Sequence, residues 1–341
     1  MHLLIIQRMH LDKYLFAISA IIVCASASHF LDQEWNAWKS KYEKKYVTLD
    51  KELNRRKAWE ATWEKVQKHN QLADQGLKSY RMAMNQFADL TDNERSSKSC
   101  LLPREKSLNP VKAESYSYTS ITIPKEVDWR KSNCVTPVKN QGTFCGSCWA
   151  FATVGVMESR YCIRTKELLN LSEQQLVDCD EINEGCCGGF PIKALEYVAQ
   201  HGVMRNKEYE YSQKKATCEY DSDKAIHMNV SKFYILPGEE NMATSVAIEG
   251  PITVGIGVSS DFQLYSEGIF EGDCAESPNH AVIIVGYGTE HANDKEEEDK
   301  DYWIIKNSWG KEWGEDGYVK MKRNINQCSI TEMAATIDFR M

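Results

Sequence analysis

The sequence predicts an α+β chain with two lobes, preceded by a separate helical segment, and three patterns carry that prediction. From Leu31 to about Asp92 the chain is highly charged with helical spacing of its apolar residues. From Ile123 onward, helical signals come first. After about Ile252 the apolar runs turn rich in β-branched and aromatic residues, and helices followed by strands suit an α+β arrangement.

In the front segment Leu31, Trp35, Trp38 and Tyr42 fall at i, i+4, i+7 and i+11, one apolar stripe on a helix. Glu52, Arg56, Trp59, Val66 and Asn70 repeat at helical spacing too, and Arg81 to Asp89, RMAMNQFAD, alternates like a short strand. From Leu90 to roughly Thr122 the pattern dissolves into Ser, Lys, Glu, Asn and Pro, which reads as a linker or cleavable joint. Beyond it, helices are expected over Cys148 to Arg160, Ser172 to Cys179 with Ser172 as N-cap, and Pro191 to Gln200 ending at His201-Gly202. Strands are expected over Ile252 to Val258, Ala281 to Tyr287, Tyr302 to Lys306 and Tyr318 to Lys322. The acidic stretch HANDKEEEDKD, His291 to Asp301, reads as a solvated loop. No internal repeat is visible.

With 341 residues, 42% hydrophobic and 26% charged, the chain has room for two ordinary domains. A net charge of -8 and an isoelectric point near 5.6 argue against a nucleic-acid partner, which would ask for a basic face. Twelve cysteines lean toward an oxidising compartment. Tyr14 to Ala27, YLFAISAIIVCASA, has signal-peptide length and closes on Ala25-Ser26-Ala27, so residues 1–27 read as a secretory signal rather than a membrane anchor. The run is shorter than the roughly 20 apolar residues of a spanning helix, and the mature protein is expected to be soluble. Asn170-Leu171-Ser172 and Asn229-Val230-Ser231 are glycosylation sequons on that route.

The chemistry concentrates at FCGSCWAF, Phe144 to Phe151. A zinc knuckle would need a second ligand pair, and the later cysteines are mostly single, with Cys186-Cys187 too close to serve. A thioredoxin-like pair would want a parallel βαβ context that is not visible. The remaining reading gives the two sulfurs different roles. Cys148 opens a helix, whose positive end favours thiolate over thiol. A nucleophile then needs a histidine, and four lie beyond the linker: His201 at a helix end, His227 on an expected strand, His291 in the acidic insert, and His280 at the head of the strand AVIIVGYG. In KNSWG, Lys306 to Gly310, Asn307 on the neighbouring strand suits the second ring N–H of His280, with Trp309 as a shield from water.

Beginning near Leu31, the chain resembles the precursors of papain-family cysteine proteases, closest to the cathepsin L-like group. The resemblance rests on VTPVKNQG (Val135 to Gly142), CGSCWAF, LSEQQLVDCD (Leu171 to Asp180), GCCGGFP (Gly185 to Pro191), NHAVIIVGYG (Asn279 to Gly288) and YWIIKNSWGKEWGEDGY (Tyr302 to Tyr318), in family order and with 132 positions from Cys148 to His280. It implies a papain-like fold with a helical left lobe, a β-barrel-like right lobe and a cleft between them. It implies a cysteine endopeptidase with Cys148 as nucleophile, His280 as general base and acid, Asn307 as orienter, and Gln141 as oxyanion donor beside the Cys148 N–H.

By the same resemblance Gly146, Gly188 and Gly189 face the substrate backbone with Trp309 beside them. Phe190, Pro191, Gly255, Ala281 and Met333 line the S2 pocket, for a hydrophobic P2 residue. The front segment becomes an inhibitory propeptide (residues 28–121) ahead of a mature domain (122–341), released at low pH. Implied partners are protein and peptide substrates, the chain's own propeptide and cystatin-type inhibitors, for a monomer that is lysosomal or secreted. Neither cofactor nor metal is implied.

The family pattern pairs Cys145 with Cys186, Cys179 with Cys218, and Cys274 with Cys328. Of the rest, Cys134 and Cys162 are expected as an extra disulfide, leaving Cys187 odd. Three departures stand out: Thr143-Phe144 where relatives carry one residue, Thr62 for an asparagine, and Cys187 for an asparagine. The first of these, by moving Gln141, would lower activity or leave a non-catalytic homologue that binds peptides or partners through the same cleft.

Overall fold

The computed structural model describes residues 29–96, 101, 113–115, 118, 121–292 and 298–339. The signal-peptide reading of residues 1–27, most of the linker and the middle of the acidic insert lie outside the described residues. The described residues fall into two compact units, 29–65 with 88–91, and 66–87 with those from 92 onward.

In the first unit, α1 (residues 29–41) is followed by the start of α2 (Leu49–Asp74). Thr48 Oγ1 accepts the Lys51 N–H at 3.2 Å, and Asp50 and Glu52 set negative charge at the helix's positive end. The stripe read from the sequence buries Trp35 and Trp38, with Trp59 of α2 joining them. Trp35 stacks on Trp38 at 5.3 Å and meets Trp59 edge-on at 5.6 Å, while Lys44 and Arg56 lie over Trp38 and Trp59. Asp89 closes the unit, accepting from Lys44 and the Tyr46 hydroxyl at 2.9 Å each. Thr62 is accommodated by donating to the Ala58 carbonyl one turn back, at 2.9 Å.

The second unit begins with the last turns of α2. Asn70 pins β1 (Tyr80–Met82) by exchanging two 2.9 Å hydrogen bonds with the Met82 backbone. The stretch read as a strand to Asp89 extends only to Met82, because Asn85 turns the chain by accepting the Phe87 N–H and donating to Gln263 O at 2.7 Å. There follow α3 (Asp92–Ser96), β2 (Ala113–Ser115), β3 (Val127–Asp128) and the long α4 (Cys148–Thr165). Then come α5 (Glu173–Cys179), α6 (Pro191–His201), β4 (Val230–Ile235), α7 (Gly238–Ile248), β5 (Ile252–Ile256) and α8 (Ser260–Gln263). The chain ends through β6 (Tyr265–Phe270), β7 (His280–Glu290), β8 (Lys300–Lys306), β9 (Tyr318–Lys322) and β10 (Ala335–Phe339).

The strands run in the order β1-β6-β9-β8-β7-β5-β10-β4-β2, with β3 on β7. Only β6–β9 and β2–β4 are parallel among these pairs. Residues Cys148 to Arg160 of α4 are all buried, since the helix packs on β7 on one side and on α5 and α6 on the other. Gly155 permits the closest approach: a Cβ there would lie 2.3 Å from Ile283 Cδ1 of β7. This is the α+β architecture read from the sequence, with helices α4 to α6 ahead of most of the strands.

Three local expectations differ. His227 lies between the isolated bridge of Ile226 with Val203 and the start of β4 instead of on a strand, and Asn229, two residues on, has φ of 48°. Asn307 lies one residue past the end of β8. Helix α8 interrupts the region after Ile252 read as strand, and helix α7 stands just ahead of it where no element was expected.

Candidate active site

Cys148 is the first residue of α4 and fully buried. Its approach is braced covalently: Cys145 is bonded to Cys186, and the Gly146 N–H donates to the Cys186 carbonyl at 2.8 Å. Trp149 Nε1 reaches back to the Gly185 carbonyl at 3.0 Å. The facing Gly189 has no room for a side chain, since a Cβ would lie 2.6 Å from the Trp149 ring and 2.7 Å from Asn183 Oδ1. Gly188, at φ 127° and ψ 177°, lets the chain turn out of Gly185–Cys187 into this position.

The opposite side of the sulfur comes from the head of β7. The Ala281 N–H points at Cys148 Sγ at 3.2 Å, which sets His280 beside the thiol. His280 Nε2 meets Asn307 Oδ1 at 2.8 Å, and the same amide oxygen accepts the Ser308 N–H. The ring of Trp309 stacks on the imidazole at 4.6 Å, and all three side chains are buried. This orientation leaves Nδ1 as the ring nitrogen on the other edge of the imidazole.

Gln141 joins the two sides. Its backbone N–H donates to Ser308 O at 2.8 Å, its Oε1 accepts from Ser308 Oγ at 2.6 Å, and its Nε2 reaches the Cys145 carbonyl at 3.2 Å. The Thr143-Phe144 pair therefore bulges outward while Gln141 stays buried between Cys145 and Ser308.

Of the residues assigned to S2, Gly255 pairs with Ala281 across β5 and β7, and a Cβ on Gly255 would lie 3.0 Å from Met333 Cβ. Phe190 and Pro191 are buried at the start of α6. Leu101 gives no such signal in the sequence, a leucine within a stretch of Ser, Lys and Glu. It forms a parallel bridge with Gly189, donates its N–H to Asn279 O at 3.2 Å, and belongs to the same buried apolar cluster as Ala281.

Behind Asn307 lies a charged network that no sequence spacing announces. Lys139 Nζ bonds Glu158 at 2.9 Å and Glu173 at 2.6 Å, Thr136 donates to Glu158 at 2.6 Å, and Lys306 donates to Thr136 at 2.9 Å. Burial pushes the Lys306 ammonium down to about 8 and, despite Lys139, pushes the Glu173 carboxyl up. For Lys139 burial acts downward, but Glu173 and Glu158 outweigh it and hold the ammonium above its ordinary value. These residues and Asn307 line a cavity of about 20 Å³.

Three further disulfides join Cys134 to Cys162, Cys179 to Cys218 and Cys274 to Cys328. Among the described cysteines, Cys148 and the exposed Cys187 stay outside all four. Asn170 and Asn229 are exposed. The histidines not brought to Cys148 are placed elsewhere: His201 stacks on Tyr197 and His291 pairs with Asp299.

A thiol at a helix start, an imidazole held by an amide, and a second amide between them are the parts of a nucleophilic acyl-transfer site. Residues 123–337 match the family profile described as papain family cysteine protease, and residues 35–94 the cathepsin propeptide inhibitor domain. A cathepsin L-like proteinase of Fasciola hepatica is 37% identical over 94% of this chain and 97% of its own length. Cathepsin L2 of Homo sapiens is 39% identical over 89% of this chain and 92% of its own. The solved structure of procathepsin L 3 from Tenebrio molitor larval midgut superposes with a TM-score of 0.81 at 33% identity, covering 91% of this chain and 99% of that one. The chain belongs to the papain family of cysteine proteases and is a cysteine endopeptidase made as a zymogen, with a cathepsin-type propeptide ahead of its peptidase domain.

Proposed function

We propose that Cys148 is the nucleophile, His280 the general base and acid, Asn307 the orienting amide, and Gln141 Nε2 with the Cys148 N–H the oxyanion donors. The Cys148 thiolate attacks the scissile carbonyl carbon, forming a C–S bond, and the oxyanion settles between those donors. The imidazolium gives its proton to the departing amine as the C–N bond breaks. Water, losing a proton to His280, then cleaves the thioester, and the C–S bond breaks to release the acid. The observation that carries this reading is the convergence of Ala281 N–H on Cys148 Sγ with the 2.8 Å contact between His280 and Asn307.

The S2 pocket, formed around Gly255, Ala281 and Met333 with Phe190 and Pro191, takes a hydrophobic P2 side chain. Leu101, an apolar residue buried where a chain pairs with Gly189, supports that preference. The propeptide runs to about residue 121 and acts as the intramolecular inhibitor until low pH releases it. The mature enzyme acts as a monomer on protein substrates, is open to cystatin-type inhibitors, and carries glycans at Asn170 and Asn229. Four disulfides suit a lysosomal or secreted setting.

The decisive test is Cys148→Ser, processed like the native chain and assayed on casein and on peptides varied at P2. Hydrolysis is expected to fall by about 10⁴-fold or more, with an epoxide thiol reagent no longer incorporated. Digestion at the native rate would sink the assignment, and fastest cleavage of peptides carrying Arg or Glu at P2 would sink the pocket reading alone.

A further inference from the structure

The loop from Gln141 to Cys145 is fastened at both ends and open at its tip. At one end Gln141 holds Ser308 through its backbone N–H, Tyr211 OH donates to its carbonyl at 2.9 Å, and Gly142 N–H donates to Asn140 Oδ1 at 2.9 Å. At the other, Cys145 is tied to Cys186, and Gln141 Nε2 closes the span onto the Cys145 carbonyl. Between them Phe144 is 89% exposed.

A single exposed apolar side chain is ordinary on a protein surface. Two facts set this one apart. Its backbone lies four residues before Cys148, in a span cross-braced by Gln141. The path of a bound chain is also marked: Leu101 pairs with Gly189 and donates to Asn279 O. Gly189 is three residues from Cys186, whose disulfide partner Cys145 adjoins Phe144. The loop that carries Phe144 is therefore tied by that disulfide to the segment with which Leu101 pairs.

We propose that Phe144 is a specificity residue whose ring forms a wall against the side chain on the amino side of the scissile bond, favouring bulky apolar or aromatic residues there. The inference rests on the assignment of Cys148 as nucleophile and Gln141 as oxyanion donor. An exposed ring leaves water when such a side chain packs on it, whereas glycine or alanine at that position leaves it wet. The extra residue in the loop becomes a source of selectivity without displacing Gln141.

The test compares the activated wild type with Phe144→Ala, Phe144→Trp and Phe144→Glu on peptides that differ only at P1. The ratio of kcat/KM for P1 Phe over P1 Gly is expected to fall about three- to tenfold in Phe144→Ala, the worth of one aromatic contact, and to persist in Phe144→Trp. Phe144→Glu is expected to raise P1 Lys relative to P1 Phe, a gain that misfolding does not produce. Ratios unchanged in all three variants overturn the proposal. Mass mapping of the epoxide label in the wild type separates the two levels: a label on Cys148 with unchanged ratios removes this inference alone. A label elsewhere removes the site assignment and this inference with it.

Discussion

The two walls that meet at the Cys148 sulfur are held in different ways. On the α4 side the constraints are covalent or backbone: a disulfide at Cys145, the Gly146 N–H on Cys186, a helix that begins at Cys148, and a glycine at 189 that admits no side chain. On the β7 and β8 side they are side chain to side chain: His280 on Asn307, Trp309 stacked on the imidazole, Lys306 on Thr136. The first kind survives substitution of neighbouring side chains. The second can be dismantled one group at a time, so altering it should tune the site before unfolding it.

Gln141 bonds to both walls, through Cys145 on one side and Ser308 on the other, and removing it is the strongest way to break the contrast. Gln141→Ala should lower kcat by about a hundredfold or more, the cost of one oxyanion donor, with KM changed far less. Steady-state kinetics on a P2-Leu peptide would show it, and a loss confined to KM would count against the role. Next comes the clip at the far end of α4, where Cys134 to Cys162 ties the helix's last turns to the segment leading to Gln141. Replacing both cysteines by serine should cost about 3 kcal/mol in urea unfolding, from loop entropy alone, and leave epoxide labelling of Cys148 intact. Slower labelling would mean that this staple also sets the site.

The buried charges on the β8 side sharpen the comparison through pH. Burial holds Lys306 at about 8, below its unfolded value, so between roughly pH 8 and 10 the unfolded chain binds more protons than the native one and stability rises with pH. Lys306→Met abolishes that contribution. The stability of the wild type minus that of the variant should therefore increase from pH 7 to pH 10, by about 3 kcal/mol at most, in parallel urea titrations. A difference that is flat over this range would show that Lys306 titrates as an exposed lysine does.

Much of this was legible in a linear reading where a residue's local chemistry matches its tertiary use. The β-branched and aromatic alternation of Tyr318–Lys322 gives β9, and Ser172 announces α5 because its hydroxyl accepts the Gln175 N–H at 3.1 Å. Helix α7 is hidden because Pro237 stands at its N-cap and no side chain caps it. Strand β4 is mostly half-buried and β10 mixes Ala335 and Asp338 into its run, so neither shows a clean period. At the site, Cys148, His280 and Asn307 sit in recognisable local contexts. Lys139, Glu158, Glu173 and Lys306 come from separate segments, and their attraction exists only once α4, α5 and β8 are packed. Leu101 is obscured for the same reason, since its partners Gly189 and Asn279 are distant in the chain.

The second unbridged sulfur has a chemical consequence. Cys187 faces solvent while Cys148 is fully buried, so a small oxidant or disulfide diffusing up to the zymogen meets the spectator thiol first. Among the described residues, oxidative wear is therefore recorded first on Cys187 rather than on the sulfur proposed to attack the substrate.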